Sequence, residues 1–154
     1  MNISENIKKI HEEVTTWRHE LHANPELCYE ENWTADFITE KLKSFGIEVH
    51  NKIGKTGIIG VLKGSNSQEH KSNRSIGLRA DMDALPIVEE NDFDYKSKFL
   101  GKMHACGHDG HVAMLLGAAK ILSKEKKFSG TIYFIFQPAV EGGGGGLKMI
   151  NDGL

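Results

Sequence analysis

The chain has 154 residues, 39% apolar and 26% charged, which suits one soluble domain with a core of ordinary size. Nineteen basic residues against 21 acidic ones give a net charge of -2, so no electrostatic case for a nucleic-acid partner exists. Two cysteines, Cys28 and Cys106, are too few for a disulfide framework, the charged N-terminus is unlike a signal peptide, and no apolar run reaches membrane-spanning length, so composition points to a reducing cytoplasm and no membrane partner.

Ile3, Ile7, Ile10, Val14, Trp17 and Leu21 step by four and three, which predicts one apolar stripe on a helix capped by Ser4 and ended at Asn24-Pro25. The stripe is too short for a coiled coil and suits a packed globular helix. It contains Trp17-Arg18-His19-Glu20-Leu21-His22, whose polar members face away from the stripe, toward water on the simplest reading. A second helix is predicted from Asn32 to Phe45, with Gly46 just past its end. Ile47-Glu48-Val49 alternates as a short strand and Gly57 to Leu62 reads as a buried one. Gly64 to Arg74 is polar and predicts a surface loop. Ser75 to Ala80 is a third strand that delivers Asp81-Met82-Asp83. Val112 to Ala119 is apolar on all sides and predicts a buried helix, with Asp109 as its expected N-cap and Cys106 and His108 on an extended lead-in before it. Thr131 to Phe136 is a fourth strand, followed by Gln137-Pro138-Ala139-Val140-Glu141, five glycines and a last helix over Leu147 to Asp152.

Helices interleaved with strands predict an α/β layer architecture, in which ligands gather outside the strand ends. Three such ends carry chemistry here: Asp81 with Asp83, Cys106 with His108, and Glu141. A thiolate and an imidazole two apart on an extended segment face the same way, as metal ligands must, although two ligands do not complete a site. Asp83 or Asp81 could bind metal directly or hold the N–H of a liganding imidazole. Gly142 to Gly146 lacks the Lys-Ser/Thr of a phosphate loop and the third glycine of a dinucleotide fingerprint, so the run is read as a floor allowing close approach of backbone and substrate. The competing chemistry is a cysteine nucleophile, Cys106 paired with His104, His108 or His111.

Taken together, Trp17 to Leu27, Gly77 to Pro86, His104 to His111 and Phe136 to Ala139 resemble, in order, the motifs of the hippurate hydrolase and indole-acetyl-amino-acid hydrolase group. These are metal-dependent N-acyl-amino-acid amidohydrolases among the aminoacylase/carboxypeptidase-type metallopeptidases. The resemblance implies a three-layer α/β/α zinc-peptidase-like catalytic domain, incomplete here, with residues 1–154 its N-terminal segment and the lid or dimerisation domain absent. It implies two divalent ions, manganese or zinc, with Cys106, His108 and Glu141 as metal ligands and Asp83 as the aspartate supporting catalysis. The implied reaction is metal-assisted attack of water on the amide of a small N-acyl amino acid, with a glutamate as general base. The family pattern has paired glutamates after Gln-Pro-Ala, whereas this chain reads Val140-Glu141, so the expected base is missing. The expectation is therefore a hydrolase by family whose activity is impaired or absent, the alternative being a non-catalytic remnant or metal-binding pseudoenzyme fragment.

Overall fold

A computed structural model describes residues 5–65 and 74–154. Ile3, Ser4 and most of the loop expected between Gly64 and Arg74 lie outside the described residues. The elements are α1 (Glu5–Ala23), α2 (Asn32–Ser44), β1 (Glu48–Ile53), β2 (Gly57–Lys63), β3 (Ser75–Asp81), α3 (His108–Glu125), β4 (Thr131–Gln137) and α4 (Gly145–Asn151). Each predicted element is present, and the mixed α/β architecture is the one expected.

The four strands form one sheet in the order β1-β2-β4-β3. The β1–β2 and β2–β4 pairs are antiparallel, whereas β3 runs parallel to β4 and reaches it through α3, a βαβ crossover. Ile58 pairs with Phe136 and Leu62 with Ile132, so their side chains leave one face of the sheet together. Trp17 and Leu21 of α1, Ile38 and Leu42 of α2, and Val112 and Leu116 of α3 join those strand residues and Phe134 in a single core. Phe134, Phe136 and Leu116 are fully buried, each contributing roughly 1.5–3 kcal/mol of hydrophobic stabilisation. On the opposite face Ile59, Val61, Tyr133 and Ile135 line a shallow groove with residues 152–154 at its edge. No helix is long and apolar enough to cross a membrane among the described residues.

Two local expectations need correction. β1 runs on to Ile53, four residues beyond Val49, because an outer strand pairs its backbone with β2 while its side chains stay in water. Polar His50, Asn51 and Lys52 carry no apolar alternation, so the strand is silent in the pattern. The N-cap of α3 is Gly107, with φ 85°, and not Asp109. His108 is therefore the first helical residue rather than part of the lead-in, and Asp109 is buried in the first turn with its carboxylate committed elsewhere.

Candidate metal centre

The parallel register sets Asp81 beside Gln137, so β3 and β4 end level and their following turns meet. Asp83 is buried at 1% exposure, and its backbone carbonyl accepts a hydrogen bond from His108 Nδ1 at 2.7 Å. That bond places the ring proton on Nδ1 and leaves Nε2 with a free lone pair. Nε2 faces Glu141 Oε1 at 3.7 Å and Asp81 Oδ1 at 3.6 Å. One ligand atom each from Cys106, His108 and Glu141 lie within 4.8 Å of one another. The trio is thus brought together from the residue before the α3 cap, the first turn of α3 and the turn after β4.

The chemistry of this donor set suits a cation. A neutral imidazole nitrogen, a carboxylate and a sulfur converge, and ions such as zinc take such ligands at roughly 2.0–2.3 Å with room left for a further ligand. Burial pulls the His108 pKa down, but the Asp83 and Asp81 carboxylates outweigh it and the net shift is upward. The field at Nε2 therefore favours a positive charge, a proton or a metal ion. The Glu141 carboxylate pushes the exposed Cys106 thiol up. A cysteine nucleophile needs the opposite shift.

Asp81, His108 and His111 form a second group within the same 4.8 Å limit. It fits a cation less well. His111 Nδ1 already bonds Asp81 Oδ1 at 2.7 Å, and Arg79 sits 3.2 Å from Asp81 Oδ2. His108 Nε2 has one lone pair, so the two groups cannot both use it.

Asp83, buried behind the three, braces the site through its hydrogen bonds. Its Oδ2 accepts from the Glu141 backbone N–H at 2.9 Å and from the Cys28 thiol at 3.1 Å, while Oδ1 is 3.3 Å from His108 Nδ1. Burial would raise its pKa, but His108, the Glu141 N–H and Cys28 hold the carboxyl well below the usual range. Val140 is half-buried, and its isopropyl group accepts no proton. The glycine run folds back on the chain before it. A Cβ at Gly145 would lie 1.8 Å from the Pro138 carbonyl oxygen, so only glycine fits there.

Three features around the site had no sequence signal. Cys28 is a protonated thiol, its pKa pushed up to about 11 by burial and by Asp83. Glu31, fully buried, accepts from the Ala139 N–H at 2.8 Å and from Thr56 Oγ1 at 2.6 Å, which anchors the turn that carries Glu141. The third is a charge cluster behind α3. The polar residues at the end of α1 do not all face water: His22 is buried at 3% exposure, with Nδ1 2.7 Å from Asp109 and Nε2 3.0 Å from Glu89. Arg18 Nε donates to the same Asp109 oxygen at 2.9 Å. Adjacent His104 is also buried, with neither ring nitrogen bonded, and burial pulls its pKa down to about 4.

Comparison with known proteins agrees with this geometry. The family model described as peptidase family M20/M25/M40 matches residues 77–154. Hippurate hydrolase of Campylobacter jejuni is 51% identical over all of this chain, which covers 39% of that protein. The N-acyl-L-amino acid amidohydrolase of Geobacillus stearothermophilus is 47% identical over 97% of this chain and 41% of its own length. Among solved structures, a Bacillus subtilis dinuclear metal binding peptidase from the M20 family superposes with a TM-score of 0.87 at 38% identity, over 95% of this chain and 40% of that one. The chain thus spans about two fifths of the length of the curated relatives it matches. With more than half its length matched by the family model, this chain belongs to peptidase family M20/M25/M40.

Proposed function

We propose that this chain supplies part of the catalytic centre of a metal-dependent hydrolase that cleaves the amide bond of small N-acyl amino acids, hippurate among them. The observation that carries the reading is the meeting of Cys106, His108 Nε2 and Glu141 around one point, with the far side of the imidazole held by the Asp83 carbonyl. The names of the relatives, a hippurate hydrolase and an N-acyl-L-amino acid amidohydrolase, supply the substrate class. The chain covers 39% of the length of the first of these, so it supplies a part of such an enzyme on this reading.

A divalent cation bound here, manganese or zinc and in the complete centre a pair, would polarise the scissile carbonyl and make water acidic enough to attack near neutral pH. Cys106, His108 and Glu141 would hold it. Asp83 fixes the imidazole tautomer and orients the ring, and its acceptance of the Glu141 N–H keeps the ligand-bearing turn in place. Proton transfer from the attacking water has no acceptor at position 140. That loss typically costs on the order of 10²–10⁴ in rate, so hydrolysis is severely impaired.

Metal analysis of the purified chain tests the centre: zinc or manganese should co-purify or bind on addition, and Cys106→Ser should lose it. Unchanged occupancy in that variant would refute Cys106 as a ligand. Hippurate hydrolysis with added manganese tests the second half. Turnover at ordinary enzyme rates would overturn the impairment, whereas a gain on Val140→Glu supports it. Val140 also favours a second reading, a metal-binding pseudoenzyme. It is distinguished by metal binding without hydrolysis even in the Val140→Glu variant.

A further inference from the structure

Cys28 lies in the turn between α1 and α2, where neither spacing nor family resemblance assigns it a role. Its sulfur is 3.1 Å from Asp83 Oδ2 and 3.2 Å from the Glu141 carbonyl oxygen. Both neighbours are acceptors, so the single S–H serves them in turn. The Glu141 peptide is thereby gripped at both edges: its N–H donates to Asp83 at 2.9 Å, and its C=O faces the Cys28 thiol. The residues after Cys28 follow the same turn. The Tyr29 hydroxyl donates to the Gly143 carbonyl at 2.5 Å, and Glu31 accepts from the Ala139 N–H at 2.8 Å. Of these, Cys28 is the one that also reaches Asp83, whose own carbonyl holds His108. The thiol therefore joins the brace behind one candidate ligand to the backbone that carries another.

We propose that Cys28 is a positioning residue of the metal centre, its S–H fixing the Glu141 turn and the Asp83–His108 brace relative to one another. This rests on the metal reading above. A sulfur that only filled space would be replaced well by valine and poorly by serine. A sulfur that acts as a donor is replaced well by serine, and valine, of similar volume, leaves two acceptors facing each other.

The experiment is a cobalt(II) titration of the 154-residue chain by calorimetry, with the thiolate-to-cobalt charge-transfer band reporting the Cys106 bond. Cys28→Val and Cys28→Ala should weaken cobalt affinity by roughly 10–100-fold, the usual cost of losing a group that orients a ligand, and Cys28→Ser should restore it. Unfolding midpoints of the metal-free variants identify any that do not fold, and if valine is not accommodated the alanine–serine pair makes the same comparison. Valine and alanine variants that bind cobalt as tightly as the parent, or a serine variant as weak as they are, would overturn the role of Cys28 while leaving the metal centre standing. A parent chain that binds no cobalt, or binds it equally well after Cys106→Ser, would overturn the metal reading and this inference together.

Discussion

His108 and Asp109 are consecutive residues at the start of α3, yet they belong to opposite kinds of site. Asp109 points inward to a cluster in which acids meet cations: the His22 ring has a carboxylate on each nitrogen, and Arg18 shares the Asp109 oxygen. His108 points to the strand ends, where its Nε2, the Glu141 carboxylate and the Cys106 sulfur face one another, while the nearby Arg79 guanidinium is held on the far oxygen of Asp81. The same residue types therefore close one network and leave the other short of a positive charge. Burial of charge in a closed network serves attachment of α1 and the 89–97 segment to α3. An unclosed one is how a protein prepares to bind an ion.

The largest effect expected is at the open site. His108→Ala should abolish metal binding outright, as read by calorimetry, and leave the His22–Asp109 cluster intact. In the parent chain metal affinity should fall as pH falls, because protons compete for the same imidazole and thiolate. Affinity independent of pH between 5 and 8 would mean that these groups are not ligands.

Breaking the closed site should act on stability instead. Asp109→Ala takes the partner from His22 Nδ1, leaving Glu89 on the other nitrogen, and releases the part-exposed Arg18 guanidinium to water, at a cost of roughly 1.5–3 kcal/mol in urea unfolding. If Asp109→Ala unfolds at the parent urea midpoint, the cluster is no more than surface decoration.

The pH dependence of stability sharpens the contrast. His104 takes a proton near 6.5 when unfolded but only near 4 when folded, so unfolding takes up a proton between those values and stability falls as pH falls through that window. The loss is on the order of 3 kcal/mol. His22, with its pKa raised by Asp109 and Glu89, is protonated in both states below about 6.5, so its contribution is fully present there and is lost only as pH rises through its folded value. The lowered pKa values of Asp81, Asp83 and Asp109 add further acid loss below about 4. Urea midpoints measured from pH 7 to 4 should show this decline, and His104→Leu should flatten it. The smallest effect expected is Gly145→Ala, whose Cβ meets the Pro138 carbonyl and should cost about 1–3 kcal/mol while shifting the Glu141 turn and weakening metal binding.

Much of this site was legible because its residues sit where pattern and chemistry coincide. Cys106 and His108 are two apart beside a helix start, and Glu141 follows the strongest strand signal in the chain. Asp109 was misread as a cap because a short acid before a helix usually is one; only the fold brings it to His22, 87 residues away. His22 itself looked solvated for the same reason, its partner being invisible in local sequence. Cys28 gave no signal, since a single cysteine in a loop has no spacing to read and its contacts lie 55 and 113 residues along the chain.

The level ends of β3 and β4 carry one more implication. Asp81 stands opposite Gln137, so Asp83 and Glu141 meet only while that ladder keeps its count. Losing one residue inside either strand would slide it by about 3.3 Å and turn its side chains to the wrong face. A residue lost from a connecting turn away from these ends would leave the meeting point untouched. Tolerance of the chain to insertions and deletions is therefore sharply uneven, and a scan of single deletions across 75–81 and 131–137 would trace the gauge that sets the site.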